Sequence, residues 1–166
     1  MVAKLPQRRR IRLDNAVYSE PDAVFSITIC VKDREPVFGC APFAEAAATV
    51  LRELAEQVAV PVYAWCIMPD HVHLVLGASV ECDVVTFVGH FKSLTLRAAW
   101  QLGASGSFWQ ASFWDHAVRR DEQLDHVISY VLANPVRAGL VADPTMYTYC
   151  GLGIGAAGHK TPPYTK

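Results

Sequence analysis

The stretch "VYAWCIMPDHVHLVLG", residues 62–77, holds two apolar runs rich in aromatic and β-branched residues, separated by Pro69 and Asp70. Residues 62–68 and 71–77 each read as a strand. A proline followed by an aspartate reads as a tight turn, so the segment predicts a hairpin. Successive side chains of a strand point to opposite faces. His71 and His73 therefore share one face, and Val72, Leu74 and Leu76 share the other. The apolar set predicts the face that packs on helices and leaves the two imidazoles on the opposite face. The hairpin thus poses a choice between two satisfied or surface histidines and two ligands of one divalent metal.

Outward from the hairpin the pattern alternates. Residues 23–31, "AVFSITICV", read as a strand, and "KDREPVFG" after them as a turn. From Pro42 to about Val58 the Ala-, Leu- and Glu-rich "PFAEAAATVLRELAEQV" has helical periodicity. Residues 82–102 read as a second helix with Asp83 near its start, followed by the loop "GASGS" and a short strand around 114–119. Asp121 and Glu122 open a third helix expected to run to about Ala133 and to be stopped by Pro135. Residues 150–166, rich in Gly, Pro and Thr, read as a flexible tail after a domain at 14–149. The order β-α-β-β-α-β plus a last helix predicts an α+β fold of the ferredoxin-like, split-βαβ kind. Its antiparallel sheet carries two helices on one face and leaves the other face for a site.

Composition narrows the class. A chain of 166 residues with 52% hydrophobic and 19% charged content is that of a globular domain able to bury its own core. No apolar run reaches the roughly 18 residues of a membrane span, and the basic start lacks the apolar stretch of a secretory signal. The five cysteines are scattered without a CxxC pair, which suits reduced thiols in a cytoplasmic protein. Net charge is −1, yet residues 1–13 carry Lys4, Arg8, Arg9, Arg10 and Arg12 and no acid, leaving −6 for the rest. Such an arm is either a solvated tail or a phosphate-binding element.

The last helix adds a second constellation. Tyr130 and Asn134 are four residues apart and lie on one helical face. The Asn134 carbonyl oxygen suits a hard ion such as Mg²⁺ or Mn²⁺ as a third ligand, and a tyrosine one turn away would reach a phosphate held by that ion. The alternative is a core tyrosine and an asparagine that merely ends the helix before Pro135.

"MPDHVHLVL", followed about sixty residues later by "YVLANPVRAGLV", closely resembles the single-tyrosine HUH transposases of the IS200 type. The resemblance is strongest to their REP-associated branch. "FSITICVKDREPVFG", "FKS" and "WQASFWDHAVRRDEQL" also match, so it spans roughly residues 10–142. It implies metal ligation by His71 and His73, a third ligand at Asn134 and a nucleophile at Tyr130. Asp70 stands where a common family pattern has Asn. The implied activity is that of a DNA transposase, a single-strand endonuclease and ligase. It would cleave single-stranded DNA beside a hairpin through a 5′-phosphotyrosine intermediate, rejoin strands, and work as a monomer or homodimer. His116, His126 or water would take the tyrosine proton. Lys92 and Arg119, in matching stretches, are candidate phosphate contacts. So, on charge alone, are Arg8, Arg9, Arg10, Arg12, Arg97 and Arg137. Trp109, Phe113 and Trp114 would either stack on bases or close the edge of the core. The competing reading is a DNA-hairpin-binding protein that keeps the fold without the reaction.

Overall fold

The computed structural model describes residues 15–20, 23–118 and 124–154. The basic arm with Arg8, Arg9, Arg10 and Arg12 lies outside the described residues, as do Arg119, the predicted helix start at Asp121 and Glu122, and residues 155–166. Nine elements carry the fold: β1 (Val24–Cys30), α1 (Ala41–Gln57), β2 (Val62–Met68), β3 (His71–Gly77), α2 (Val84–Gln101), β4 (Trp114–Val118), α3 (Leu124–Leu132), α4 (Asn134–Arg137) and β5 (Cys150–Ile154). The strands form one sheet in the order β4-β1-β3-β2-β5, with every pairing antiparallel. The first four strands keep the predicted ferredoxin-like order, and the hairpin supplies the two strands near its centre.

The alternation read from the hairpin sets the layers. Phe25, Ile27 and Ile29 of β1 lie opposite Leu76, Leu74 and Val72 of β3. Together with Trp65 and Ile67 they meet Leu51 of α1 and Phe87 and Phe91 of α2 in the main core. Each such buried side chain contributes roughly 1.5–3 kcal/mol. The second helix starts where Asp83 caps it, its carboxylate accepting from the Thr86 amide at 2.9 Å. Trp109 and Phe113 are buried in this core, and the Trp109 indole donates to Thr95 Oγ1 at 3.0 Å. These two aromatics close the core edge and do not offer a face to bases. Trp114, on edge strand β4, is exposed.

The opposite face is not left open. Leu124 and Val131 of α3 pack on Val24, Ala64, Cys66, Met68, Val75 and Val118 to form a second, smaller core. The last helix is thus seated across the face that carries the histidines. Pro135 does not stop α3, which ends at Leu132. It sits in the first turn of α4, where its missing N–H costs nothing and its fixed φ suits a helix start.

The predicted tail departs most from the structure. Cys150–Ile154 pairs with β2 as a fifth, edge strand. Glycine-rich "CGLGI" has little strand propensity of its own, but Gly151 makes room for the Trp65 indole. A Cβ at Gly151 would stand 3.1 Å from Trp65 Nε1 and 3.2 Å from Cε2 and Cζ2. The indole is buried and cannot yield, so Gly151→Val is expected to destabilise the fold by ~1–3 kcal/mol. A melting temperature lowered by several degrees relative to wild type checks this. All five cysteines are free thiols.

Candidate active site

β3 opens at the Pro69–Asp70 turn, so His71 is its first residue and His73 its third. Their Nε2 atoms stand 3.0 Å apart, with the rings nearly perpendicular. The other nitrogen of each ring is held. His71 Nδ1 lies 2.5 Å from Asp70 Oδ1. A carboxylate only accepts, so Nδ1 carries the hydrogen and the Nε2 lone pair points inward. His73 Nδ1 lies 3.0 Å from Thr28 Oγ1. A hydroxyl donates or accepts, so it serves either tautomer of His73.

Electrostatics supports this orientation. Burial, followed by the positive surroundings of His71 and Arg34, pushes His73 down to about 4. Its imidazole is therefore neutral at physiological pH; the hydrogen shared between the two Nε2 atoms sits on His73 and would move to Nδ1, facing Thr28 Oγ1, to free Nε2. Arg137 also acts in this direction, which places its charge within electrostatic reach of His73. For Asp70, burial opposes ionisation, but the His71 hydrogen bond and the attraction of His71 and Arg34 outweigh it and hold the carboxyl below its usual range. Arg34 reaches Asp70 Oδ2 at 3.2 Å from a loop in which Asp33 and Arg34 both adopt left-handed φ, 53° and 58°. Arg34, Asp70 and Thr28 form the ring of support that the sequence reading did not assign. One signal for Thr28 was legible. Ser26 and Thr28 are polar residues alternating with Phe25, Ile27 and Ile29 in an otherwise apolar strand, which places both hydroxyls on the histidine face.

Asp70 is thus more than a turn residue. Asp70→Ala frees the His71 ring and is expected to weaken binding of a divalent ion ~10–100-fold. Asp70→Asn keeps an acceptor oxygen for Nδ1 and is expected to stay within a few-fold of wild type. Mn²⁺ titration followed by electron paramagnetic resonance reads both variants. Equal affinity for Ala and Asn would contradict the supporting role.

Tyr130 is half-exposed on α3, and the Arg137 guanidinium lies 4.2 Å from its ring centroid, a cation–π contact. It is not a core tyrosine. The tyrosine lines an open cavity of about 300 Å³ with Ser26, His116, His126 and Val127. Ser26 lies opposite His116 across the β1–β4 pair, and Thr28 opposite both Trp114 and His73. Ser26 and Thr28 are two residues apart on one strand, a separation of about 7 Å. The residue beneath the tyrosine cavity and the residue holding His73 are therefore neighbours on one sheet face. Asn134 Nδ2 donates to the carbonyls of Tyr130 and Val131 at 3.1 and 3.2 Å. The amide ties off the end of α3, as a helix-ending asparagine does.

The predicted cations divide. Arg137 joins the site. Lys92 is half-buried and donates to the carbonyls of Gln110 at 2.5 Å and Ala111 at 3.3 Å, so its ammonium holds the loop before β4. Arg97 is exposed on α2, in the helical layer on the other side of the sheet from the histidines.

Residues 21–134 match the family described as transposase IS200-like. The chain belongs to that family. It is 28% identical over 78 residues to a REP-associated tyrosine transposase of Escherichia coli K12, covering 47% of this chain and 46% of that protein. The chain thus spans about half the length of that relative. A Haemophilus influenzae protein provisionally given the same name is 24% identical over 129 residues, with 71% and 73% covered. A solved structure of a REP-associated tyrosine transposase bound to a REP hairpin superposes with a TM-score of 0.65 at 19% identity, over 88% of this chain and 82% of that one. At that identity the likeness concerns the fold. Among the described residues, no helix is long and apolar enough to cross a membrane.

Proposed function

We propose that this chain is a metal-dependent tyrosine transposase. In this reading it binds single-stranded DNA beside a hairpin, cleaves it through a 5′-phosphotyrosine at Tyr130, and rejoins strands. The observation that carries the reading is the juxtaposition on one sheet face of the His71–His73 pair and the Tyr130 cavity, with Arg137 over the tyrosine ring.

The donor set fits a divalent ion. Two nitrogens 3.0 Å apart are near enough to share an ion at ordinary metal–nitrogen lengths of about 2.0–2.1 Å. No third His, Cys, Asp or Glu joins them among the described residues, so the Asn134 carbonyl oxygen is the proposed third protein ligand. Two imidazoles suit Mn²⁺ better than Mg²⁺. An ion bound there would polarise a phosphodiester oxygen and offset the negative charge that grows during attack.

The chain's own residues do the rest. The Arg137 guanidinium holds the Tyr130 ring and favours negative charge on both the phenolate and an incoming phosphate. The Tyr130 oxygen forms the bond to phosphorus as the P–O3′ bond breaks, leaving a 3′-hydroxyl. The phosphotyrosine conserves the energy of the broken bond, so a later 3′-hydroxyl can attack it and rejoin strands without another energy source. Trp114 offers an exposed indole at the sheet edge, in the row of Thr28 and His73, on which a flanking base can stack. The kinship with a protein solved on a REP hairpin supports a hairpin-bearing single strand as the partner.

The test is incubation with labelled single strands carrying a hairpin, plus Mn²⁺, followed by a denaturing gel. A protein-linked labelled fragment is expected. Hairpin binding without any covalent product under either metal would favour the binding-only reading.

A further inference from the structure

Resting on that reading, the geometry points to His126 as the base that takes the phenolic proton from Tyr130 during cleavage and returns it during rejoining. The phenol must lose its proton as it attacks, and the sequence offered His116, His126 or water without choosing. The structure brings His116, His126 and Tyr130 to one cavity, with the Ser26 hydroxyl at its floor.

Helix geometry separates the two histidines. His126 is four residues before Tyr130 on α3, so the two side chains are neighbours on one helical face. Helical side chains lean toward the N-terminus. His126 and Tyr130 accordingly line the same cavity. The two groups ride on one rigid element and keep their relation however that helix is seated on the sheet. His116 belongs to β4 and reaches the cavity from the sheet side. Among the described residues, the charged or titratable groups around the phenol are His116 from β4, His126 from α3 and Arg137 from α4. β1 contributes only the neutral Ser26 hydroxyl. Arg137 lies over the ring and is always protonated, so it cannot accept the proton.

The step balances without a further reactant. The Tyr130 O–H bond breaks and its proton passes to an imidazole nitrogen of His126. The phenolic oxygen bonds to phosphorus, the P–O3′ bond breaks, and the 3′ oxygen leaves with a proton from water. In rejoining, a 3′-hydroxyl gives its proton to water as it bonds to phosphorus, the Tyr130 O–P bond breaks, and the departing phenolate recovers its proton from the His126 imidazolium.

Single-turnover cleavage of a hairpin-bearing strand in Mn²⁺ from pH 5 to 9 tests this in wild type, His126→Gln, His126→Ala and His116→Ala. Both His126 variants are expected to keep hairpin affinity and melting temperature, because His126 is exposed. They should lose roughly 10²-fold or more in cleavage rate. The wild-type rate should fall on the acid side as the accepting imidazole becomes protonated, and that acid limb should vanish in the His126 variants and persist in His116→Ala. Wild-type rates and an unchanged acid limb in both His126 variants would overturn the assignment, as would transfer of the defect to His116→Ala. If wild type itself forms no adduct, the transposase reading fails, and that is a separate result.

Discussion

Tyr130→Phe is expected to abolish the covalent protein–DNA adduct while leaving hairpin binding unchanged. The substitution removes one oxygen from a side chain that is half-exposed and contacts Arg137 through its ring. Phenylalanine keeps that ring, so the fold, the second core and the cation–π contact should survive. Only the atom that would bond to phosphorus is lost. Removing a nucleophile commonly costs on the order of 10⁴- to 10⁶-fold in rate, which here means no detectable product. A denaturing gel with labelled single-stranded substrate and Mn²⁺ reads the adduct, and a mobility shift in the same buffer reads binding. An adduct formed by the phenylalanine variant at a tenth of the wild-type rate would remove Tyr130 from the chemistry.

Loss of the divalent ion is expected to have an effect of similar size. Chelation with EDTA should stop cleavage by wild type, and excess Mn²⁺ should restore it. His71→Ala should stop it and not be rescued. The charge stabilisation an ion supplies at a phosphodiester is several kcal/mol, which at about 1.4 kcal/mol per decade is a loss of roughly 10³- to 10⁴-fold. His71 is the better target of the pair, because it stands at the mouth of β3. His73 is held farther in by Thr28, and its burial keeps it neutral. Both treatments should leave hairpin affinity within a few-fold, since backbone charge and stacking carry binding. Full activity in EDTA together with full activity of His71→Ala would end the metal reading.

Much of the architecture could be read locally. Periodicity of two in residues 24–30, 62–68 and 71–77 separated a helix-facing set from a site-facing set, and the register matches it. The spacing of Tyr130 and Asn134 predicted one continuous helical face, whereas α3 ends at Leu132 and Asn134 opens α4, its amide donating back to the Tyr130 carbonyl. Asp83 marked the start of α2 because a capping carboxylate acts within three residues of itself. The elements that escaped the reading depend on partners far along the chain. β5 is a strand because β2 offers it an edge and Trp65 a surface. Its own Gly-rich residues would not form one alone. Lys92 looked like a phosphate ligand until the loop at 110–111 folded over its ammonium. The end of α3 near Ala133 was legible, but Pro135 is not what stops it: the proline sits in the first turn of α4.

The amino-acid sequence by itself carried the family resemblance, the β-α-β-β-α-β order of elements, and the placing of His71 and His73 on one strand face. Each of these follows from motifs or periodicities within a few turns of chain. Only the tertiary structure decided what surrounds them: Asp70 and Thr28 on the outer nitrogens of the histidines, Arg137 over the tyrosine, and His116 and His126 in its cavity. Thr28 and His116 in particular are brought in by the long-range pairing of β1 with β3 and β4 and by the seating of α3 on the sheet. No local pattern encodes such pairings, because the side chains involved meet only after the strands have found their register.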